Sequence, residues 1–463
     1  MNATDPKPAA TPADQGANRI LAVLFVGVLM GALDIAIVGP ALPAMRAEFG
    51  ADERAIAWVF TIYVLFNLIG TPLMAKLSDR LGRRLVYTLD VALFAAGSLV
   101  VATAHSLDQV LVGRAVQAFG AGGIFPVASA VIGDALPPER RGRALGLIGA
   151  VFGIAFLLGP FVAAGLLRFG WEWLFIVNLP VAVALMVASW RILPGAAGRD
   201  DTPPFDWAGM LLLSVALAAL SLGLSNIDSH QLSQSLAEPR VWALLLAGVL
   251  ASVATAVVER RAADPLLRPQ WFDSRQIRLV ALFAAGAGLG EAGMVFLPDL
   301  AVSAIGMSAH DSSYILLPVV LALAFGSPTF GRLLDRIGPK PIVLGALLTL
   351  AAGAAVAGAL PTTHTVLIVA GALVGLGLSG LLGAPLRYIL LAEVAADERA
   401  AAQGLITIFI GVGQLLCGVL IGAIAASAGG GALGYREAFG VIAVLVALMA
   451  VASLGLAGRR ATA

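Results

Sequence analysis

The chain has 463 residues, 59% of them hydrophobic and 12% charged, with a mean hydropathy of +0.94. Those values exclude an ordinary soluble domain and point to an all-α polytopic membrane protein. A net charge of +1 leaves no basic face for a nucleic-acid partner, and a single cysteine, Cys417, excludes an internal disulfide and a thiolate metal cluster.

A bilayer core about 30 Å thick takes roughly 20 apolar residues per helix. Fourteen such runs are expected: 20–45, 56–77, 85–104, 109–132, 144–167, 174–192, 207–225, 241–258, 279–301, 312–334, 341–360, 365–389, 403–427 and 437–457. Residues 1–18, rich in Pro and Ala, read as a disordered cytoplasmic tail. Residues 19–192 then form an N-terminal six-helix bundle, 193–277 a linker with two further helices, 278–458 a C-terminal six-helix bundle, and 459–463 a second cytoplasmic tail.

Positive charge tests this count, because one missed or invented helix would swap the sides of every later loop. With the N-terminus inside, Arg46, Arg54, Arg168, Arg240 and Arg436 fall outside, Arg114 lies within the fourth run, and every other Lys and Arg falls in a cytoplasmic segment. The protein is therefore expected in the cytoplasmic membrane with both termini in the cytoplasm.

The first run carries one acid near its middle, Asp34. Charge at that depth is costly, so such a residue faces a protein interior or a watered cavity. An internal repeat gives it a counterpart. The stretch from Ala75 to Arg84, containing Asp79, Arg80, Gly82 and Arg83, recurs from Gly331 to Lys340 with Asp335, Arg336 and Gly338 in the same places, an offset of 256. Pro126 and Pro385 correspond at 259, and Asp34 falls on Glu291 at 257. A two-fold relation of the halves would turn both acids towards one central cavity.

These stretches resemble the major facilitator superfamily, and within it the fourteen-helix drug:proton antiporters. The Asp79 turn is similar to that family's loop between helices 2 and 3, with Ala75 for its first glycine. The stretch from Leu111 through Arg114 and Gln117 to Gly120 is similar to its helix 4 motif. Its helix 5 antiporter motif survives as Gly146, Gly159 and Pro160. Leu33 to Pro43 resembles its helix 1 signature, and Trp171 to Pro180 its entry to helix 6. The resemblance implies two pseudo-symmetric six-helix bundles plus two linker helices, proton-driven export of lipophilic cations, and no cofactor beyond the proton gradient. It also implies a monomer.

The residues then take roles. A carboxyl removed from water binds its proton more tightly, so Asp34 and Glu291 are candidates for proton or substrate binding. Asp299, further towards the outside, is a candidate for the same role that could guide cations at the outer mouth, or it simply meets water at the helix end; Gln117, one turn inward of Arg114, is placed near the cavity as a further binding candidate. Arg114 either couples protonation to conformational change or clamps helices as the partner of Asp34. Asp79, Arg80, Arg83, Arg84, Asp335 and Arg336 are candidates for a conformational latch. Gly375, Gly377 and Gly380 fit a dinucleotide pattern, yet no strand precedes them and they sit in an apolar run, so close helix packing is their reading. No metal-ligand set and no pairing of nucleophile with base stands out. A proton-linked nutrient, metabolite or anion transporter is the alternative, and a membrane enzyme or sensor a more distant one.

Overall fold

The computed structural model describes residues 12–195, 206–262, 265, 268–395 and 399–457. Among them, 13 helices are long and apolar enough to cross a membrane. In chain order the helices are α1 (Pro12–Phe49), α2 (Glu53–Leu81), α3 (Arg83–Ala102), α4 (Leu107–Ala135), α5 (Pro138–Leu166), α6 (Trp173–Ile192) and α7 (Trp207–Ser225). They continue with α8 (Pro239–Glu259), α9 (Arg275–Ile305), α10 (Ala309–Leu334), α11 (Pro339–Ala359), α12 (His364–Glu393), α13 (Ala402–Ser427) and α14 (Gly431–Gly455). Each falls on one of the expected runs. The fifth, α5, is the helix beyond the 13, because its apolar part Ile154–Leu166 is shorter.

One expectation needs correcting at the start. The helix begins at Pro12, so residues 12–18 extend α1, whereas the sequence reading placed them in a disordered tail. Proline is well suited to a first helical position and Asp14 to a first turn. Residues 1–11 and 458–463 lie outside the described residues.

Local chemistry sets the helix ends. Asp52 caps α2 through the Ala55 amide at 2.7 Å, and Ser106 caps α4 through Gln109. Ser274 does the same for α9, and Thr363 for α12. In the repeated turn, Gly82 and Gly338 take φ of 91° and 78°, a conformation that side chains with a Cβ avoid. That requirement is why glycine recurs in both copies. Proline breaks two helices: α9 bends at Phe296 just before Pro298, and α12 at Gly383 just before Pro385.

Packing repeats with the sequence. In the first half α3 lies on α4, α2 on α4, α1 on α5 and α3 on α6. In the second, α11 lies on α12, α10 on α12, α9 on α13 and α11 on α14, the same pairings eight helices later. Between halves, α2 meets α13 and α5 meets α10, which are again related pairs. The helices α7 and α8 pack on each other, and α7 also leans on α2 and α13.

The halves are joined at the end opposite the basic turns. Trp58 of α2 donates its indole N–H to Ser225 of α7 at 3.0 Å. Phe60 meets Phe296, and Phe161 meets Tyr314, edge to face. One apolar core runs through both halves there, while the part of the first half nearer the basic turns has a core of its own.

Candidate functional site

Small residues bring α3 and α4 together. A Cβ on Gly97 would collide with the backbone of Gly113 and Gln117, so only glycine permits this crossing. The contact sets Ser98 of α3 beside Gln117 of α4, whose amide donates to the serine hydroxyl at 2.8 Å. Arg114 lies one turn from Gln117 on the same face.

Asp34 of α1 points into that corner, and its carboxylate is fully engaged. Arg114 Nη1 donates to Oδ2 at 2.7 Å, and Gln117 Nε2 donates to Oδ1 at 2.8 Å. Asn178 of α6 adds a longer bond to Oδ1 at 3.3 Å. Arg114 is held in turn by the Gln117 side-chain oxygen at 2.6 Å and the Val59 carbonyl at 3.3 Å. Its guanidinium lies 4.0 Å from the centre of the Tyr63 ring, a cation–π contact that suits a desolvated charge. Asp34, Arg114, Gln117 and Ser98 are all inaccessible to solvent. Of the two readings of Arg114, this geometry shows the ion pair that both require.

Glu291 of α9 has different surroundings. Gly288, one turn earlier, lets α9 press against the backbone of Ile410 and Gln414 on α13. The Gln414 side chain is thereby the polar neighbour of Glu291, and no cation stands beside it among the described residues. Along the same two helices of the repeat, α1 and α9 touch directly, where Gly39 abuts Val295. Pro160 and Phe156 of α5 close a small apolar cavity next to that contact, with Ile35, Met294 and Val320. Gly159, its neighbour in the antiporter-like motif, packs on Ala36 of α1.

Asp299 is not at a wet helix end. It is fully buried, because α9 continues past Pro298 to Ile305 and places the acid in the seam between halves. Arg46 of α1 approaches it at 3.9 Å, pairs with Glu53 at 2.7 Å and donates to Ser303 of α9 at 2.9 Å. Glu53 also accepts from the Gly431 amide of α14 at 2.9 Å. This lock across the two halves escaped the sequence reading, in which Arg46 is only one of the outer basic residues and Glu53 is not singled out.

Candidate latch residues of the first half come together within the first half. Arg83 pairs with Asp79 at 2.6 Å and with Asp134 of α4 at 3.0 Å, and Arg84 donates to the Leu193 carbonyl at 2.7 Å. Arg80 and Arg336 are exposed at their helix ends. The surroundings of Gly146 and of the Asp335 side chain lie outside the described residues. Asp134 was missed, although an acid in the last turn of a helix facing a basic turn is a readable signal.

A sequence profile described as Major Facilitator Superfamily matches residues 24–290 and again 279–462. The chain belongs to the Major Facilitator Superfamily. Like its relatives it is a multi-pass membrane transporter, and they are transporters and not enzymes. It is 33% identical over 407 residues to the uncharacterized MFS-type transporter YfiU of Bacillus subtilis, covering 86% of this chain and 78% of that one. It is 30% identical over 334 residues to the multidrug transporter protein MdtP of the same organism, covering 71% of this chain and 60% of MdtP, less than two thirds of that relative. Among solved structures, peptide transporter POT superposes with a TM-score of 0.70 over 96% of this chain and 98% of its own, at 16% identity. At that identity the likeness shows the superfamily fold alone.

Proposed function

We propose that this superfamily member is a proton-coupled antiporter of the fourteen-helix drug:proton type, exporting lipophilic cations across the cytoplasmic membrane by alternating access. The observation that carries the reading is the unequal acid pair: Asp34 bound to Arg114 on α1 and α4, and Glu291 without a cation on α9. The multidrug name of a relative at 30% identity supports the substrate class. With the basic turns and both termini placed in the cytoplasm, the contacts joining the halves at the opposite end support an inward-facing arrangement, and the transporter is read as a monomer.

In this scheme Glu291 is the group a cationic substrate neutralises, and a proton arriving from outside displaces it. Protonation of Asp34 frees Arg114, which must then find a new partner, and that exchange biases the rocking of one half against the other. Opening to the outside also breaks the Arg46 contacts to Asp299 and Ser303 and the Glu53 contact to Gly431, so Asp299 acts at the outer gate. Asp79, Arg83 and Asp134, with Arg80, Arg84, Asp335 and Arg336, set the rate of the inner gate and not the choice of substrate. Gly146, Gly159 and Pro160 shape α5 against α1.

One proton returning through about 100 mV supplies roughly 2.3 kcal/mol, and a pH difference of one unit about 1.4. A monovalent cation exchanged for one proton gains only the second part. Two acids permit two protons and restore the voltage contribution.

The test is ethidium movement in proteoliposomes under an imposed pH gradient, for wild type, Asp34→Asn and Glu291→Gln. Gradient-driven movement by the wild type and its loss in each variant is the expected result. Transport with unchanged proton coupling in both variants defeats the reading.

A further inference from the structure

A second acid lies within the membrane-spanning part of the first half. Asp90 of α3 is inaccessible to solvent, and neither of its carboxyl oxygens has a hydrogen-bond partner. It occupies space that only glycine leaves open. A Cβ on Gly123 of α4 would overlap the Asp90 carboxyl, and one turn away Gly120 packs on the Asp90 backbone and on Leu93 and Phe94.

Nothing around it supplies a counter-charge. The elements packed on α3 bring no charged side chain to Asp90 among the described residues. Its titratable neighbour is Tyr87, one turn earlier on its own helix, and that hydroxyl is directed at the Val23 carbonyl of α1 at 3.4 Å. An ionised carboxylate with neither donor nor counter-ion is not tolerated in such a place; it takes up a cation or a proton. Alkali and alkaline-earth cations need several oxygen ligands, whereas the carboxyl lies against Gly123 and the neighbouring Tyr87 hydroxyl is turned to the Val23 carbonyl. A proton needs no such shell.

We propose that Asp90 is a proton-binding site, separate from Asp34 and Glu291 and occupied in the conformation seen here. The same two helices carry Ser98 and Gln117, about two turns further on, so movement at this crossing is felt at the Asp34 network. The consequence for transport rests on the proton-coupled reading above; proton binding itself does not.

Infrared difference spectra of the full chain in lipid, recorded through a pH titration, test it directly. The expected result is a carboxylic-acid C=O band that disappears reversibly at alkaline pH, is absent from Asp90→Asn, and persists in Asp34→Asn and Glu291→Gln. Gly123→Ala, which presses a methyl on the carboxyl, should displace the band or its midpoint, and it serves as the readout if Asp90→Asn does not fold. A band that is insensitive to pH wherever the protein is folded, or no Asp90-dependent band at any pH, overturns the proposal. Because the spectra need no gradient, a wild type that shows the band and fails in ethidium transport would defeat the coupling reading and leave this site standing.

Discussion

Asp34 and Glu291 occupy repeat-related places on α1 and α9, and they sit in opposite electrostatic situations. Asp34 is held by a guanidinium and two amides, all buried. Glu291 has one amide neighbour and no cation. A duplicated scaffold thus offers two acids different proton and cation affinities without changing their placement. The first stores its charge in an internal pair, and in the proposed function the second leaves its charge for a ligand.

Breaking the first site has the larger cost. Asp34→Ala strands Arg114 in an apolar bundle, and removing one partner of a buried pair destabilises by about 3–5 kcal/mol. Thermal unfolding in detergent should fall accordingly. Adding Arg114→Met to the same chain should restore most of that stability and none of the gradient-driven transport, which separates the structural role of the pair from its coupling role. A double variant as unstable as Asp34→Ala would show that the loss comes from elsewhere in the network.

The second site is sensitive first to packing. Gly288→Ala puts a methyl against the Ile410 carbonyl, and overpacking of this kind costs about 1–3 kcal/mol. It should shift α9 from α13, move Gln414 off Glu291 and reduce transport together with stability. Glu291→Gln should do the reverse: stability within about 1 kcal/mol of wild type, since no opposite charge is left unpaired, and gradient-driven ethidium transport abolished. Equal unfolding temperatures for Glu291→Gln and Asp34→Ala would erase the distinction between the sites.

Much of this was legible from the sequence because its signals are local or repeated. Apolar run lengths place the helices, and Gly82 and Gly338 mark turns that need positive φ. The 257-residue offset pairs Asp34 with Glu291. What was not legible depends on helix rotation. In a membrane protein the face towards lipid and the face towards the bundle are both apolar, so periodicity does not say which way Ser98, Tyr63 or Asp90 points. Asn178 was readable as a buried hydrogen-bonding group, yet its partner required knowing that α6 stands against α1. Asp299 was misread because the apolar run was ended at 301, which put the acid at its wet end, whereas α9 continues to Ile305 and buries it.

The smallest effect is expected where charge is wet. His230, in the loop between α7 and α8, pairs with Glu437 of α14 at 3.1 Å, with side chains 54% and 37% exposed. Pairs of this kind contribute about 0–1 kcal/mol and are screened by salt. His230→Ala should therefore leave unfolding temperature and transport close to wild type at both low and high salt. That outcome is what makes the comparison of the two acids informative: at the surface a lost ion pair is replaced by water, whereas Arg114 without Asp34 has no such replacement. A large loss in His230→Ala would instead mean that the α7–α8 loop holds the seam closed, through the neighbouring bond from the Ser229 amide to Ser427 at 3.1 Å, and stability differences at Asp34 would then have to be measured with that seam fixed.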